Sequence, residues 1–172
     1  MPGQKVSIMT RFSFEQRLLP QHIAILDQFT STVPVRVGAL AKALGLKVVE
    51  AALPLNISGL IQPDGEEGFI IKVNRFESKE RQRFTIAHEI SHFLLHRDKI
   101  NAGVVDSVLY RSRLSSRIEA EANKLAADIL MPVNQVEDCL GTEEFYDNND
   151  RVASLAQHFG VSKQAMGIRL GV

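Results

Sequence analysis

The sequence has 172 residues, 45% of them apolar and 23% charged, and lysine plus arginine (20) equals aspartate plus glutamate (20). That is the balance of a globular chain able to bury its own core, and zero formal net charge argues against a dedicated nucleic-acid binder, which carries a basic excess. A single cysteine, Cys139, excludes an intrachain disulfide and a four-cysteine zinc site, and with no leader-like segment in "MPGQKVSIMTRFSF" and no apolar run near the roughly 20 residues of a membrane helix a cytoplasmic protein is expected.

Residues 1–33 read as an N-terminal extension carrying one helix, from about Pro20 to Gln28, with proline at an early helical position where its missing N–H costs little. After the break "TSTVP" a short helix runs from Val37 to Leu44, and Gly45 ends it. The period then changes. Leu46 to Leu53, Ile57 to Gln62 and Gly68 to Val73 are short stretches bounded by turn residues, with β-branched residues prominent in the first. Asp64-Gly65 between the last two is a hairpin signal. Together they predict a small, mainly antiparallel sheet of about three strands.

From Ser78, a good N-cap, the pattern is helical to about His96. Residues 97–114 show no clear period. A second long helix spans Ser115 to Leu130 and stops at Met131-Pro132, because proline disfavours helix in the residue before it. A third follows from Val133 to Leu140. Beyond the acidic loop "GTEEFYDNND", Arg151 to Phe159 and Ser162 to Leu170 form a closing pair. The fold class is α+β, with a core over residues 34–141 and a C-terminal pair over 142–172 expected to pack on it.

The chemistry sits in "RFTIAHEISHFLLH", from Arg83 to His96. His88 and His92 are four apart, which on a helix puts them on one face, one turn above the other. Two imidazoles so placed can reach one zinc ion at distances of about 2.1 Å. Glu89 is rotated by about 100° from His88, off the metal yet near enough to act as a base on water there. This is the H-E-x-x-H arrangement of two ligands and a general base. A pair of core histidines is a common alternative, but it leaves a glutamate among "FTIA" and "FLL" with no reason to be desolvated.

His96 continues the four-residue step and tempts as a third ligand. Eight residues of helix rise about 12 Å, too far from His88 to share one ion. As the last residue of the helix it is expected to interact with free carbonyls instead. The third ligand must then come from elsewhere, and "SRIEAEANKLAADILMP" offers one, although taken alone it reads as a helix with a charged outer face. Glu119 and Asn123 lie four apart on one face, whereas Glu121 points elsewhere. Glu119 is expected as ligand, with Asn123 holding a ligand histidine through its free N–H.

These segments resemble the ImmA/IrrE metallopeptidases. The resemblance rests on "RQRFTIAHEISHFLLH" followed by "EAEANKLAADILMP", and extends through "LAKALGLKVVEAALPLNISGLI", "GFIIKVN" and "LAQHFGVSKQAMGIRL", roughly residues 34–171. It implies a zincin-like helical core, gluzincin-like at the metal, with Zn²⁺ held by His88, His92 and Glu119 and with Glu89 as the catalytic glutamate. It also implies an endopeptidase acting on a helix-turn-helix repressor, and so releasing stress or mobile-element genes. Where the family usually has phenylalanine, this chain has Leu125, a mild apolar exchange.

The closing pair, "VASLAQHFGVSKQAMGIRL", itself reads like a helix-turn-helix. A DNA-binding or protein-binding regulator with a non-proteolytic metal site is therefore the alternative. Residues 151–172 carry only Arg151, Lys163 and Arg169 as basic residues, few for phosphate contacts. DNA binding is thus not expected, nor is a membrane partner. Tyr110, Arg111, Arg113 and His158 are candidates for the rim of the cleft, though each reads more simply as a solvated residue.

Overall fold

The structure, a computed structural model, describes residues 11–101, 116–142, 145 and 150–172. After a short 3-10 turn at Glu15–Arg17 come helices α1 (Pro20–Thr30) and α2 (Val37–Ala43) and strands β1 (Leu46–Ala51), β2 (Gly59–Asp64) and β3 (Gly68–Asn74). Helices α3 (Lys79–Leu95), α4 (Arg97–Asn101), α5 (Ser116–Leu130), α6 (Val133–Leu140), α7 (Arg151–Phe159) and α8 (Lys163–Leu170) complete the order. This is an α+β fold. Among the described residues no helix is long and apolar enough to cross a membrane.

The boundaries follow local chemistry. Ser78 caps α3 by accepting from the Arg81 N–H at 3.3 Å, and Ser162 caps α8 through the Ala165 N–H at 3.1 Å. Gly45 closes α2 at φ 79°, a left-handed value that favours glycine. Gly65 makes the β2–β3 turn in the same region, at φ 77°. In the stretch without a clear period, Arg97–Asn101 forms α4, a helix too short for a period to show. Tyr110, Arg111 and Arg113 lie outside the described residues.

The sheet has the order β1-β3-β2. β2 and β3 pair antiparallel, as the hairpin signal requires, but β1 pairs parallel with β3, so the sheet is mixed rather than purely antiparallel. The tight turn forces β2 against one edge of β3, and β1 takes the other edge. The link between β1 and β2 therefore crosses the end of β3, where Asn74, 1% exposed, clamps it. Its side-chain amide donates toward the carbonyls of Leu53, Pro54 and Ile57 at 3.2, 3.1 and 2.9 Å. Parallel pairing needs a crossover, and no strand period announces one.

Alternation puts Leu46, Ile61, Phe69, Ile71 and Val73 on the covered face of the sheet. Helix α3 lies in the core with Ala87, Ile90 and Phe93 buried, the Phe93 ring meeting Phe69 edge-on at 5.5 Å. The approach to β2 is close: a Cβ on Gly59 would stand 2.4 Å from Thr85 Cγ2 and 2.6 Å from the Lys72 carbonyl oxygen. Leu125, Ala126 and Ile129 of α5 join the same core, as do Leu155 and Phe159 of α7 and Met166 of α8. Arg83 of α3 donates to the carbonyls of Gly160 and Phe159 at 2.9 and 3.3 Å, a cation at the C-terminus of α7. One scaffold thus fixes α3 and α5, the two helices that carry the candidate ligands.

Candidate metal centre

The structure brings His88, His92 and Glu119 together. One ligand atom from each lies within 4.8 Å of the others, and among the described residues this is the one such group of histidine, cysteine and carboxylate side chains. His88 Nε2 and His92 Nε2 are 3.0 Å apart. Glu119 Oε2 is 3.3 Å from the first and Glu119 Oε1 is 3.2 Å from the second. The helical step of α3 brings the two imidazoles together edge to face, and the first turn of α5 presents the carboxylate to them.

Hydrogen bonds on the far ring nitrogens orient the two imidazoles. The His88 Nδ1–H donates to Asn123 Oδ1 at 2.9 Å. His92 Nδ1 faces His96 Nδ1 at 3.0 Å, and His96 Nε2 faces Glu121 Oε2 at 3.0 Å. Glu121 also accepts from Arg17 Nη1 at 2.8 Å and Arg117 Nε at 3.0 Å. A proton on Nδ1 of both ligand histidines would leave lone pairs on both Nε2 atoms, which point at the same carboxylate. Several acceptors converging on one spot call for a cation, and two neutral imidazoles with a carboxylate are a donor set that suits zinc.

The electrostatics carry the same imprint. His88 and His92, which donate to it whenever an Nε2 carries a proton, hold the Glu119 carboxyl well below the usual carboxylate range. Burial lowers the His88 pKa, but the bond to Glu119 and the charges of Glu89 and Glu119 outweigh it and leave that pKa raised. The pocket attracts positive charge. Glu121, with His96 and then Arg17 as its main partners, is lowered to about 2.

The His88 and Glu119 side chains, 14% and 34% exposed, face a cleft of about 540 Å³. Glu89, itself 1% exposed, also lines it, with Phe84, Met131 and Ile168 as apolar wall and Arg81 at its side. A second hollow of about 580 Å³ shares Arg81, Phe84, Ala165 and Ile168, so the cleft continues between α3 and α8. His158 stands against Phe145, ring centroids 5.3 Å apart, and is not among the lining residues.

His96 is where the sequence-based expectation and the structure part. Among the described residues its side chain meets no free carbonyl and stands outside the group of three; it sits behind His92 and links it to Glu121. Glu121 does point away from Glu119, as helix geometry requires, but toward His96. The available signal is the second four-residue step of histidines, which brings the His92 and His96 rings to 5.2 Å. Nothing local shows that Glu121 and Arg17 wait beyond it.

Known proteins resemble this chain in sequence and in fold. The radiation response metalloprotease IrrE of Deinococcus deserti is 38% identical over 96 residues, 56% of this chain and 34% of that protein. The protein of the same name from Deinococcus radiodurans is 37% identical over 93 residues, 54% and 28% respectively. The aligned segment thus spans about a third of these relatives. A Mycobacterium tuberculosis transcriptional regulator superposes with a TM-score of 0.60 at 20% identity, over 88% of this chain and 47% of that one, a likeness of fold alone. Residues 41–171 match the model of the IrrE N-terminal-like domain, and the chain belongs to that peptidase family.

Proposed function

We propose that this chain is a zinc-dependent metallo-endopeptidase, and that its substrate is a helix-turn-helix transcriptional repressor whose cleavage releases stress or mobile-element genes. The observation that carries the reading is the convergence of His88, His92 and Glu119 within 4.8 Å beside a cleft that Glu89 also lines. The likeness to proteins named metalloproteases supports it. The continuation of the cleft along α3 and α8 supports an endopeptidase, since it offers room for chain beyond the scissile bond. The repressor as substrate, and with it a cytoplasmic location, rests on the family resemblance.

His88 Nε2, His92 Nε2 and the Glu119 carboxylate would hold the ion. When bound, zinc supplies Lewis-acid polarisation of a peptide carbonyl and eases deprotonation of water. The rest falls to the chain. Asn123 fixes the His88 ring. Glu89 accepts the proton of the attacking water and delivers it to the leaving amine. Phe84, Met131 and Ile168 exclude solvent from one side of the peptide and offer apolar contact to a substrate side chain.

The competing reading, DNA binding through α7 and α8, loses support from the partners of its basic residues. Lys163 pairs with Asp150 at 2.6 Å, Arg169 with Asp128 at 2.9 Å, and Arg151 donates to the Phe145 carbonyl at 2.9 Å. A gel shift at physiological salt separates the two.

The deciding experiment incubates the chain with the helix-turn-helix repressor encoded nearest to it, with zinc, with chelator, and as Glu89→Gln. Zinc-dependent cleavage is expected, reduced by about 10²–10⁴-fold in Glu89→Gln, which keeps its zinc by elemental analysis. Undiminished cleavage by zinc-loaded Glu89→Gln removes the assigned role of Glu89. An intact repressor under every condition removes the substrate.

A further inference from the structure

Two groups behind the candidate ligands need a reason to be buried: His96 at 4% and Glu121 at 8% exposure. Their protons can be placed from geometry. Glu121 Oε2 lies 2.8 Å from Arg17 Nη1 and 3.0 Å from His96 Nε2, and Oε1 lies 3.0 Å from Arg117 Nε. A carboxylate between two guanidinium groups is ionised and only accepts, so the proton on the His96 side belongs to Nε2 of His96. Two arginines already balance Glu121, which leaves His96 neutral with a lone pair on Nδ1. The atom facing that lone pair is His92 Nδ1 at 3.0 Å. It must be the donor.

We propose that Glu121 and His96 are positioning residues which fix His92 as the Nδ1–H tautomer and aim its Nε2 lone pair at the point shared with His88 and Glu119. The inference rests on reading that point as a metal centre. One ligand histidine is held directly by an amide, Asn123, and the other at one remove, through a second histidine and a carboxylate. Arg17, from the turn before α1, anchors the far end and also reaches the Leu95 carbonyl at 3.4 Å. The N-terminal segment is thereby tied to the centre. Partners of metal-bound histidines orient the ring and raise its basicity, and their loss typically weakens metal binding by about 10–100-fold.

The test compares wild type, His96→Leu and His96→Gln as full chains. Leucine removes the acceptor, whereas glutamine restores a carbonyl oxygen for His92 Nδ1–H. Zinc affinity is measured by chelator competition, and long-range ¹H–¹⁵N spectra of the imidazoles report the tautomers in zinc-free wild type. Expected are Nδ1–H on His92 with Nε2–H on His96, zinc binding about 10–100-fold weaker in His96→Leu, and recovery of most of that loss in His96→Gln. Wild-type binding by His96→Leu, or an Nε2–H tautomer on His92, overturns the proposal. If His96→Leu does not fold, the wild-type tautomers decide alone. If His92→Ala binds zinc as tightly as wild type, the metal centre itself is misread and the positioning role falls with it.

Discussion

Asn123 Oδ1 stands 2.9 Å from His88 Nδ1, one helical turn along α5 from Glu119. One face of α5 thus delivers both a carboxylate to the candidate centre and the amide that orients a histidine of α3. The two helices must keep a fixed distance for either to work. Their packed residues, Ile90 on α3 with Leu125 and Ile129 on α5, are fully buried, so the core enforces the geometry of the cleft.

Asn123→Leu is expected to weaken zinc binding by about 10-fold, the lower end of the range for such partners. The reason is exposure: Asn123 lies at the surface, and water can replace its amide oxygen. Asn123→Asp keeps an acceptor and is expected to bind zinc at least as well as wild type. Chelator competition measures both, and equal affinities for Asn123→Leu and wild type count against the assigned role.

Removal of a ligand has a sharper signature. Wild type is expected to retain about one zinc per chain, and Glu119→Ala to lose it on dialysis. Zinc at 100 times its dissociation constant adds about 2.7 kcal/mol of stability, or roughly 5–10 °C in melting temperature for a domain of this size. That rise is expected in wild type and absent in Glu119→Ala. Elemental analysis and paired melting curves with and without zinc check it, and a zinc-dependent rise that survives Glu119→Ala would exclude Glu119 as ligand.

The parts legible in the sequence are those with a local physical cause. Ser78, Gly45, Gly65 and Pro132 mark element ends because caps, left-handed turns and proline sterics act over a few residues. The four-residue steps His88–His92 and Glu119–Asn123 are equally local, and the structure brings the two pairs together, with His88, Glu119 and Asn123 lining one cleft and His92 buried behind. What stayed hidden depends on tertiary pairing. The parallel β1 follows from which edge of β3 remained free. The contact of His96 with Glu121 joins residues 25 apart, and that of Asp128 with Ser13 joins residues 115 apart. No period or cap records such partners, so His96 looked like an ordinary helix end.

Asp128 illustrates how much such a hidden contact holds. Its Oδ1 pairs with Arg169 Nη1 at 2.9 Å and its Oδ2 accepts from the Ser13 N–H at 2.7 Å. Arg169 also donates to the Met131 carbonyl at 2.7 Å. One carboxylate of α5 therefore ties a residue near each end of the chain to the core. With Asp128 only 7% exposed, Asp128→Ala strands a guanidinium and is expected to cost about 3–5 kcal/mol. Asp128→Asn, which keeps an acceptor, should cost less. Urea unfolding at constant slope reads both, and a loss under about 1 kcal/mol for Asp128→Ala would show the pair to be dispensable.

His22 gives a pH dependence away from the cleft. It packs on Phe93, ring centroids 6.0 Å apart, and burial, with the charge of Arg97 second, lowers its pKa from 6.5. A histidine whose folded pKa lies below its unfolded value binds protons more readily when unfolded. Its effect on stability is therefore nil well above pH 6.5. Stability falls as the pH drops through 6.5, and the loss levels off below the folded pKa. His22→Gln, uncharged throughout, is expected to remove this component. Because His88 shifts in the opposite direction, the quantity to follow is the difference between wild type and His22→Gln in urea stability, from pH 8 down to 5. A difference that stays flat over that window would mean that His22 titrates alike in the folded and unfolded chain.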